Sequence, residues 1–314
     1  MRIAFLGTPA FAVPALDALV RASHEVLVVV AQPDRPAGRG QELREPATKA
    51  WARARGLPVL QPAKVRDGKL TAELATLSPD LLVVVAYGRI LGKDLLTLAP
   101  QGAVNVHASL LPRHRGAAPI QWAIASGDRE TGVTIMQMDE GLDSGDVLLQ
   151  RALAIGPDED ADQLSRRLSA LGGDALLEAL SLLQAGGDLP VRQDPARATV
   201  APVLTREHGR LDFALTAARL SDRVRGFSPW PGAFTTLAGR TLKVHRAAAR
   251  PPTEPGVEGL APGLARPGGG GLLVGCGEGS TLVLLEVQLE GKRRVAAADF
   301  LKGHPVAPGT VLGT

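Results

Sequence analysis

Asn105 and His107 stand two residues apart in the run Gly102-Ala103-Val104-Asn105-Val106-His107. Apart from those two side chains the run is short and apolar, which reads as a buried strand. Alternate strand residues share a face, so the amide and the imidazole project on the same side. An amide N–H held beside an imidazole can stabilise a developing oxyanion while a proton moves. Both residues fall towards the carboxyl end of the strand, the edge where open α/β sheets place ligands. The turn that follows, Ser109-Leu110-Leu111-Pro112, offers one wall of a flat apolar pocket. This set fits acyl-type chemistry better than passive binding.

A third participant should be a carboxylate that reaches His107. The run Met138-Asp139-Glu140-Gly141-Leu142-Asp143-Ser144-Gly145-Asp146 supplies Asp139, Asp143 and Asp146. It follows an expected strand, Val133–Met138, and is therefore expected at the same carboxyl edge. Asp143 sits between two glycines, but an Asx-turn role suits its neighbours equally well, and composition does not choose among the three. Arg35-Pro36-Ala37-Gly38-Arg39-Gly40-Gln41 reads either as a mobile basic loop for phosphate or as a solvated connection. Gly7-Thr8-Pro9-Ala10-Phe11-Ala12 is not a G-x-G-x-x-G turn, and no acidic residue ends the second strand, which argues against a dinucleotide site. The six histidines are scattered along the chain and suggest no metal cluster.

The elements that must position these residues alternate in the front half. Ile3–Leu6, Val26–Ala31, Val59-Leu60, Leu81–Ala86, Gly102–His107 and Val133–Met138 read as strands. Ala12–Arg21, Ala47–Arg55, Thr71–Leu77 and Pro119–Ala125 read as helices. Such alternation predicts an α/β fold, a doubly wound and mostly parallel sheet covered on both faces. A long helix from about Asp160 to Ala185 keeps a helical leucine period and stops at Gly186-Gly187. Residues 189–210 are polar and arginine-rich and read as a linker between domains 1–188 and 211–314. Beyond one helix (Thr216–Arg225), the last domain shows short strands: Leu242–His245, Gly271–Val274, Leu282–Leu289 and Arg294–Ala297. Proline and glycine clusters separate them, as in a small OB-like β-barrel.

Bulk properties narrow the classes. The chain is long enough for two domains at 314 residues. Cys276 is the only cysteine and reads as a small core residue in a reducing compartment. A strand begins at once, leaving no room for a signal peptide, and no apolar run approaches the roughly 20 residues of a membrane span. Residues 206–314 carry 14 Lys and Arg against 9 Asp and Glu, while residues 1–205 carry 21 against 23. A basic back half suits contact with a polyanion.

Several of these stretches together resemble the methionyl-tRNA formyltransferases, a branch of the 10-formyltetrahydrofolate-dependent formyltransferases, over nearly the whole chain. Phe5–Val13, Gln32–Gly40 and Val85–Leu91 carry part of the resemblance. Asn105–Pro112, Arg115–Gln121, Met138–Asp146 and Pro229-Trp230-Pro231-Gly232-Ala233 carry the rest. The Asn-x-His pattern with its downstream Gly-Leu-Asp fixes the reaction class. The Arg35–Gly40 loop, Ala117–Gln121 and the appended C-terminal domain speak for the acceptor. His114 stands where Trp or Tyr is common in the family, a departure expected to touch no catalytic position, and the linker uses arginines where lysines are common.

The resemblance implies formyl transfer from 10-formyltetrahydrofolate to methionyl-initiator tRNA, without a metal, in a cytoplasmic monomer. It assigns Asn105, His107 and Asp143 to catalysis. Tyr87, Gly88, Ile90, Leu91, Ser109, Leu110, Leu111, Pro112, Gln137 and Asp139 are assigned to the folate. Arg35, Arg39, Arg206 and Arg210 are assigned to tRNA.

Overall fold

The computed structural model describes residues 1–37, 42–186, 190–251 and 259–313. It divides into two compact units. One comprises Met1–Pro119, Glu130–Ala154 and Ser165–Pro202; the other comprises Ile120–Arg129, Ile155–Leu164 and the chain from Val203 onward.

The first unit starts with β1 (Arg2–Gly7), α1 (Val13–Arg21), β2 (Glu25–Val30), β3 (Arg35–Ala37), β4 (Glu42–Arg44), α2 (Ala47–Arg53) and β5 (Val59–Leu60). It continues through α3 (Lys69–Leu77), β6 (Leu81–Val85), α4 (Lys93–Leu96), β7 (Ala103–His107), β8 (Glu130–Gln137), β9 (Val147–Ala154) and α6 (Ala161–Gln184); α5 (Pro119–Ala125), which precedes β8 in the chain, belongs from Ile120 on to the second unit, as do the residues of α6 up to Leu164. Seven strands form one sheet in the order β5-β2-β1-β6-β7-β8-β9. Strands β5 to β7 along that order are parallel. Their Val- and Leu-rich runs are buried on both faces, as helix-covered parallel strands require.

The direction reverses at β8, which is antiparallel to both β7 and β9. Strand β9 was not visible in the sequence, because Gln150 and Arg151 interrupt its apolar pattern at a half-buried sheet edge. Of the basic stretch expected as a mobile loop, Arg35–Ala37 form β3, which pairs antiparallel with β4, and residues 38–41 lie outside the described residues.

The second unit contains α7 (Ala217–Gly226), β10 (Ala233–Leu237), β11 (Arg240–Arg250), β12 (Ala265–Gly268), β13 (Gly271–Gly275), β14 (Thr281–Leu289), β15 (Val295–Ala296) and α8 (Ala297–Gly303). The strands are antiparallel in the order β10-β11-β14-β13-β12, with β15 added to β14. Register shifts around Arg246 bend β11, and the sheet encloses Leu220, Val224, Leu242, Leu272, Leu282, Leu284 and Phe300 in a barrel-like core. The expected strand Arg294–Ala297 is shorter, because α8 begins at Ala297. No helix among the described residues is long and apolar enough to cross a membrane.

Candidate active site

Strand β7 delivers Asn105 and His107 to one face, both nearly buried. The His107 Nε2 lies 2.9 Å from the His114 carbonyl oxygen. A carbonyl only accepts, so Nε2 carries the hydrogen and Nδ1 of a neutral ring presents its lone pair. Nδ1 lies 3.6 Å from Asp143 Oδ2. Burial pushes the His107 pKa below the ordinary histidine value, the Asp143 carboxylate and the His114 carbonyl pull it back up, and the His114 ring lowers it again. The net direction is downward, which leaves a neutral ring at neutral pH beside a carboxylate ready to stabilise its protonated form. The Asn105 carboxamide has no hydrogen-bond partner among the described residues, so its donors are available to a ligand oxygen.

Asp143 comes from the β8–β9 connection, residues 138–146, by a different route from the expected one. Gln137 pairs with Val104 at the start of β7, so this connection leaves from the amino edge of β7. It is long enough to run back to the level of His107. Asp139 ties the connection onto itself, accepting from the Gly141 N–H at 2.9 Å and from Ser144 Oγ at 2.9 and 3.0 Å. A Cβ at Gly145 would collide with the Gln137 carbonyl oxygen, so the return path requires glycine. Asp143 itself adopts a left-handed φ of 47°. Its Oδ2 accepts the Gly116 N–H at 2.8 Å. Gly116 has φ 118°, and a Cβ there would meet the Ala201 oxygen at 2.7 Å. Of the three carboxylates left open by composition, Asp143 faces His107, Asp139 braces the loop and Asp146 is exposed.

His114 is buried with φ 58°, and its carbonyl is the partner of His107. Contrary to the expectation for this departure, the position does touch the catalytic cluster, through its backbone carbonyl and through a ring that lowers the His107 pKa. Sequence reasoning also missed Gln193 and Thr199. Gln193 Nε2 donates to the carbonyls of Asp143 (2.9 Å) and Gly145 (2.7 Å). Thr199 Oγ1 accepts the His114 N–H at 2.8 Å. The stretch expected as a plain linker is, over 190–202, part of the first unit. Its irregular backbone carries no period that a sequence pattern reveals.

The residues expected around the folate divide. Gly88 and Ile90 line a concavity of about 580 Å3 with Lys64 and Arg66. Gln137 and Asp139 line another of about 540 Å3 with Lys93 and Gly102. Leu91 is buried in the sheet core, and Tyr87 is buried with its carbonyl accepting Gln32 Nε2 at 2.7 Å. Ser109 Oγ donates to the Arg113 carbonyl at 2.6 Å. The Leu111 N–H donates to Thr134 Oγ1 at 3.1 Å, so the turn from Ser109 through Leu110 to Pro112 is held against β8.

Among the arginines, Arg35 is exposed and donates to Gln32 Oε1 at 2.6 Å. Arg39 lies outside the described residues. In the second unit Arg206 sits 5.6 Å from the Phe234 ring centre, and exposed Arg210 lines a cavity of about 580 Å3 with Phe213 and Leu312. Cys276 is buried there, and burial pushes its thiol up to about 11, which removes it as a nucleophile.

A mostly parallel sheet that gathers an amide, an imidazole and a carboxylate, followed by an antiparallel barrel-like unit, defines a group-transfer enzyme of the formyl transferase type. The sequence matches the formyl transferase family over residues 1–180 and the formyl transferase C-terminal domain over residues 203–305. It is 67% identical over 308 residues to a methionyl-tRNA formyltransferase of Anaeromyxobacter dehalogenans strain 2CP-1, covering 96% of this chain and 97% of the relative. It is 49% identical to the enzyme of that name from Acidobacterium capsulatum, covering all of both chains. The chain belongs to the formyl transferase family, in its methionyl-tRNA formyltransferase branch.

Solved structures agree at the level of fold. A sugar 3N-formyl transferase, WlaRD, superposes with a TM-score of 0.69 at 15% identity, covering 93% of this chain and 99% of that one. A methionyl-tRNA formyltransferase from Clostridium thermocellum gives 0.55 at 18% identity, covering 81% and 95%.

Proposed function

We propose that the protein transfers the formyl group of 10-formyltetrahydrofolate to the α-amine of methionyl-initiator tRNA in the cytoplasm. The convergence of Asn105, His107 and Asp143 carries this reading, and the full-length likeness to enzymes of that name supports it. The neutral amine attacks the formyl carbon, a new C–N bond forms, and the carbonyl oxygen becomes an oxyanion. Asn105 donates to that oxygen, and a well-aimed donor is worth roughly 3 kcal/mol of barrier. His107, held neutral by burial, accepts the proton the amine must lose. Asp143 stabilises the resulting imidazolium across the Nδ1 gap. As the tetrahedral species collapses, the bond to N10 breaks and His107 returns the proton to that nitrogen.

Folate recognition is assigned to the edges of the Tyr87–Leu91 and Gln137–Asp143 loops, whose backbone groups suit the donor and acceptor pattern of a pterin. Residues 1–188 form the catalytic domain in this reading. The arginine-rich 189–210 stretch and the barrel from 211 take the tRNA, through Arg206 and Arg210 together with Arg35 and Arg39.

Incubation with 10-formyltetrahydrofolate and methionyl-tRNA, followed by ester hydrolysis, should release formylmethionine. Formylation of a nucleotide-linked amino sugar in its place, with methionyl-tRNA untouched, would move the chain to a different acceptor.

A further inference from the structure

Gln193 is 7% exposed, in a stretch without a chemical motif. A primary carboxamide offers two donor hydrogens and an oxygen with two lone pairs. Here the amide nitrogen donates to the Asp143 and Gly145 carbonyls, and Oε1 accepts from Arg115 Nε at 3.1 Å and Nη2 at 2.7 Å. The same stretch also grips the turn on the other side of His107. Thr199 Oγ1 accepts the His114 N–H, the Thr199 carbonyl accepts the Arg115 N–H at 2.8 Å, and the Ala201 N–H donates to the Arg115 carbonyl at 2.7 Å. One short segment therefore holds both the turn that presents the His114 carbonyl and the loop that presents the Asp143 carboxylate.

The geometry points to Gln193 as a positioning residue for formyl transfer, its carboxamide fixing the Asp143–Gly145 backbone so that the Asp143 carboxylate faces His107. The inference rests on the reading of Asp143 as the group that stabilises protonated His107. Gln193 touches no reacting atom in this scheme. Asp143 sits in a left-handed conformation within a long connection that Asp139 ties onto itself at Gly141 and Ser144, and its carboxylate accepts the Gly116 N–H. The Gln193 bonds anchor the backbone on either side of Ser144 to a segment outside that connection. The ionisable groups facing His107 are Asp143 from the loop and His114 from the turn. Gln193 is uncharged, so any effect it has on His107 must travel through the loop or through the Arg115 side of the turn.

Three variants test this: Gln193→Leu, Gln193→Glu and, as a reference, Asp143→Asn. Turnover, KM for methionyl-tRNA, thermal midpoint and the His107 titration by proton NMR are read for each. Gln193→Leu removes both ends of the clamp without adding charge. Gln193→Glu keeps the acceptor for Arg115 but sets oxygen against two carbonyl oxygens, so it isolates the loop end. Both should lower kcat by about 10- to 100-fold, the order expected when a catalytic group is displaced by an ångström. KM should stay within about twofold, since uniform binding is untouched.

In Gln193→Leu the His107 midpoint should move to lower pH, towards its position in Asp143→Asn, because a retreating carboxylate supports the imidazolium less. Wild-type kcat in folded Gln193→Leu and Gln193→Glu, with an unmoved His107 titration in the former, overturns the inference. Should Gln193→Leu not fold, wild-type kcat in Gln193→Glu suffices to overturn it. If Asp143→Asn itself turns over normally, the reading of the site has failed. If Asp143→Asn is impaired and the Gln193 variants are not, only the positioning role has failed.

Discussion

Two connections leave the sheet of the first unit and are built on opposite physical terms. The 138–146 connection is bound at nearly every turn: Asp139 to Gly141 and Ser144, Asp143 to Gly116, and the Asp143 and Gly145 carbonyls to Gln193. The β3–β4 ribbon instead stands exposed, with Arg35 tied to Gln32 and Leu43 73% accessible. A group that stabilises charge in transit must be fixed before the reaction and shielded from water, where its field is strong. A group that meets a large polyanion needs only to be presented. The contrast separates residues whose loss should appear in kcat from residues whose loss should appear in KM and in salt dependence.

The largest expected effect breaks the braced connection at its tip. Asp143→Asn and His107→Ala should each lower kcat at least about 100-fold, with KM for methionyl-tRNA little changed. A pH signature accompanies the loss. Burial already holds His107 below the usual value, and the carboxylate opposes that shift. Removing its charge in Asp143→Asn lowers the His107 midpoint further, which NMR titration of the imidazole reads directly. An upward move would reverse the electrostatic argument.

Against that, the ribbon should respond through affinity. Arg35→Ala should raise KM for methionyl-tRNA several-fold, leave kcat near wild type and reduce the slope of log affinity against log salt by about 1, as one lost phosphate contact does. A kcat defect equal to that of Asp143→Asn would place the ribbon within the chemistry and erase the contrast.

What the sequence disclosed follows the same division. The period-2 placement of Asn105 and His107 was legible, because a buried strand tolerates polar side chains only where they have work to do. The parallel core was legible from the unbroken apolar runs of β2 and β6. Strand direction is not written in a period-2 pattern, so the reversal at β8 and the half-buried strand β9 were not foreseen, and the loop was assigned to the wrong edge. The choice of Asp143 over Asp139 and Asp146 came from resemblance, since only the folded path of the loop sets which carboxylate meets the imidazole. Gln193 and Thr199 were invisible, because individual hydrogen bonds from irregular backbone have no repeat to read. Their positions come into view only once the 190–202 stretch is seen lying along the catalytic turn and loop.

The smallest expected effect is the sharpest control on the comparison. Asp146 shares the connection with Asp143, carries the same charge, lies three residues away and is exposed. Its carbonyl accepts the Gln137 N–H at 2.8 Å, a backbone bond that any residue there would keep. If nearness in sequence and negative charge were enough, Asp146→Asn would damage catalysis. If fixed orientation towards a buried ring is what matters, solvent screens Asp146 and its neutralisation should leave kcat within about twofold of wild type. Steady-state turnover of Asp146→Asn beside Asp143→Asn therefore weighs placement against composition within a single loop. Equal losses in the two variants would show that the net charge of the connection governs the site, with the aim of one carboxylate immaterial.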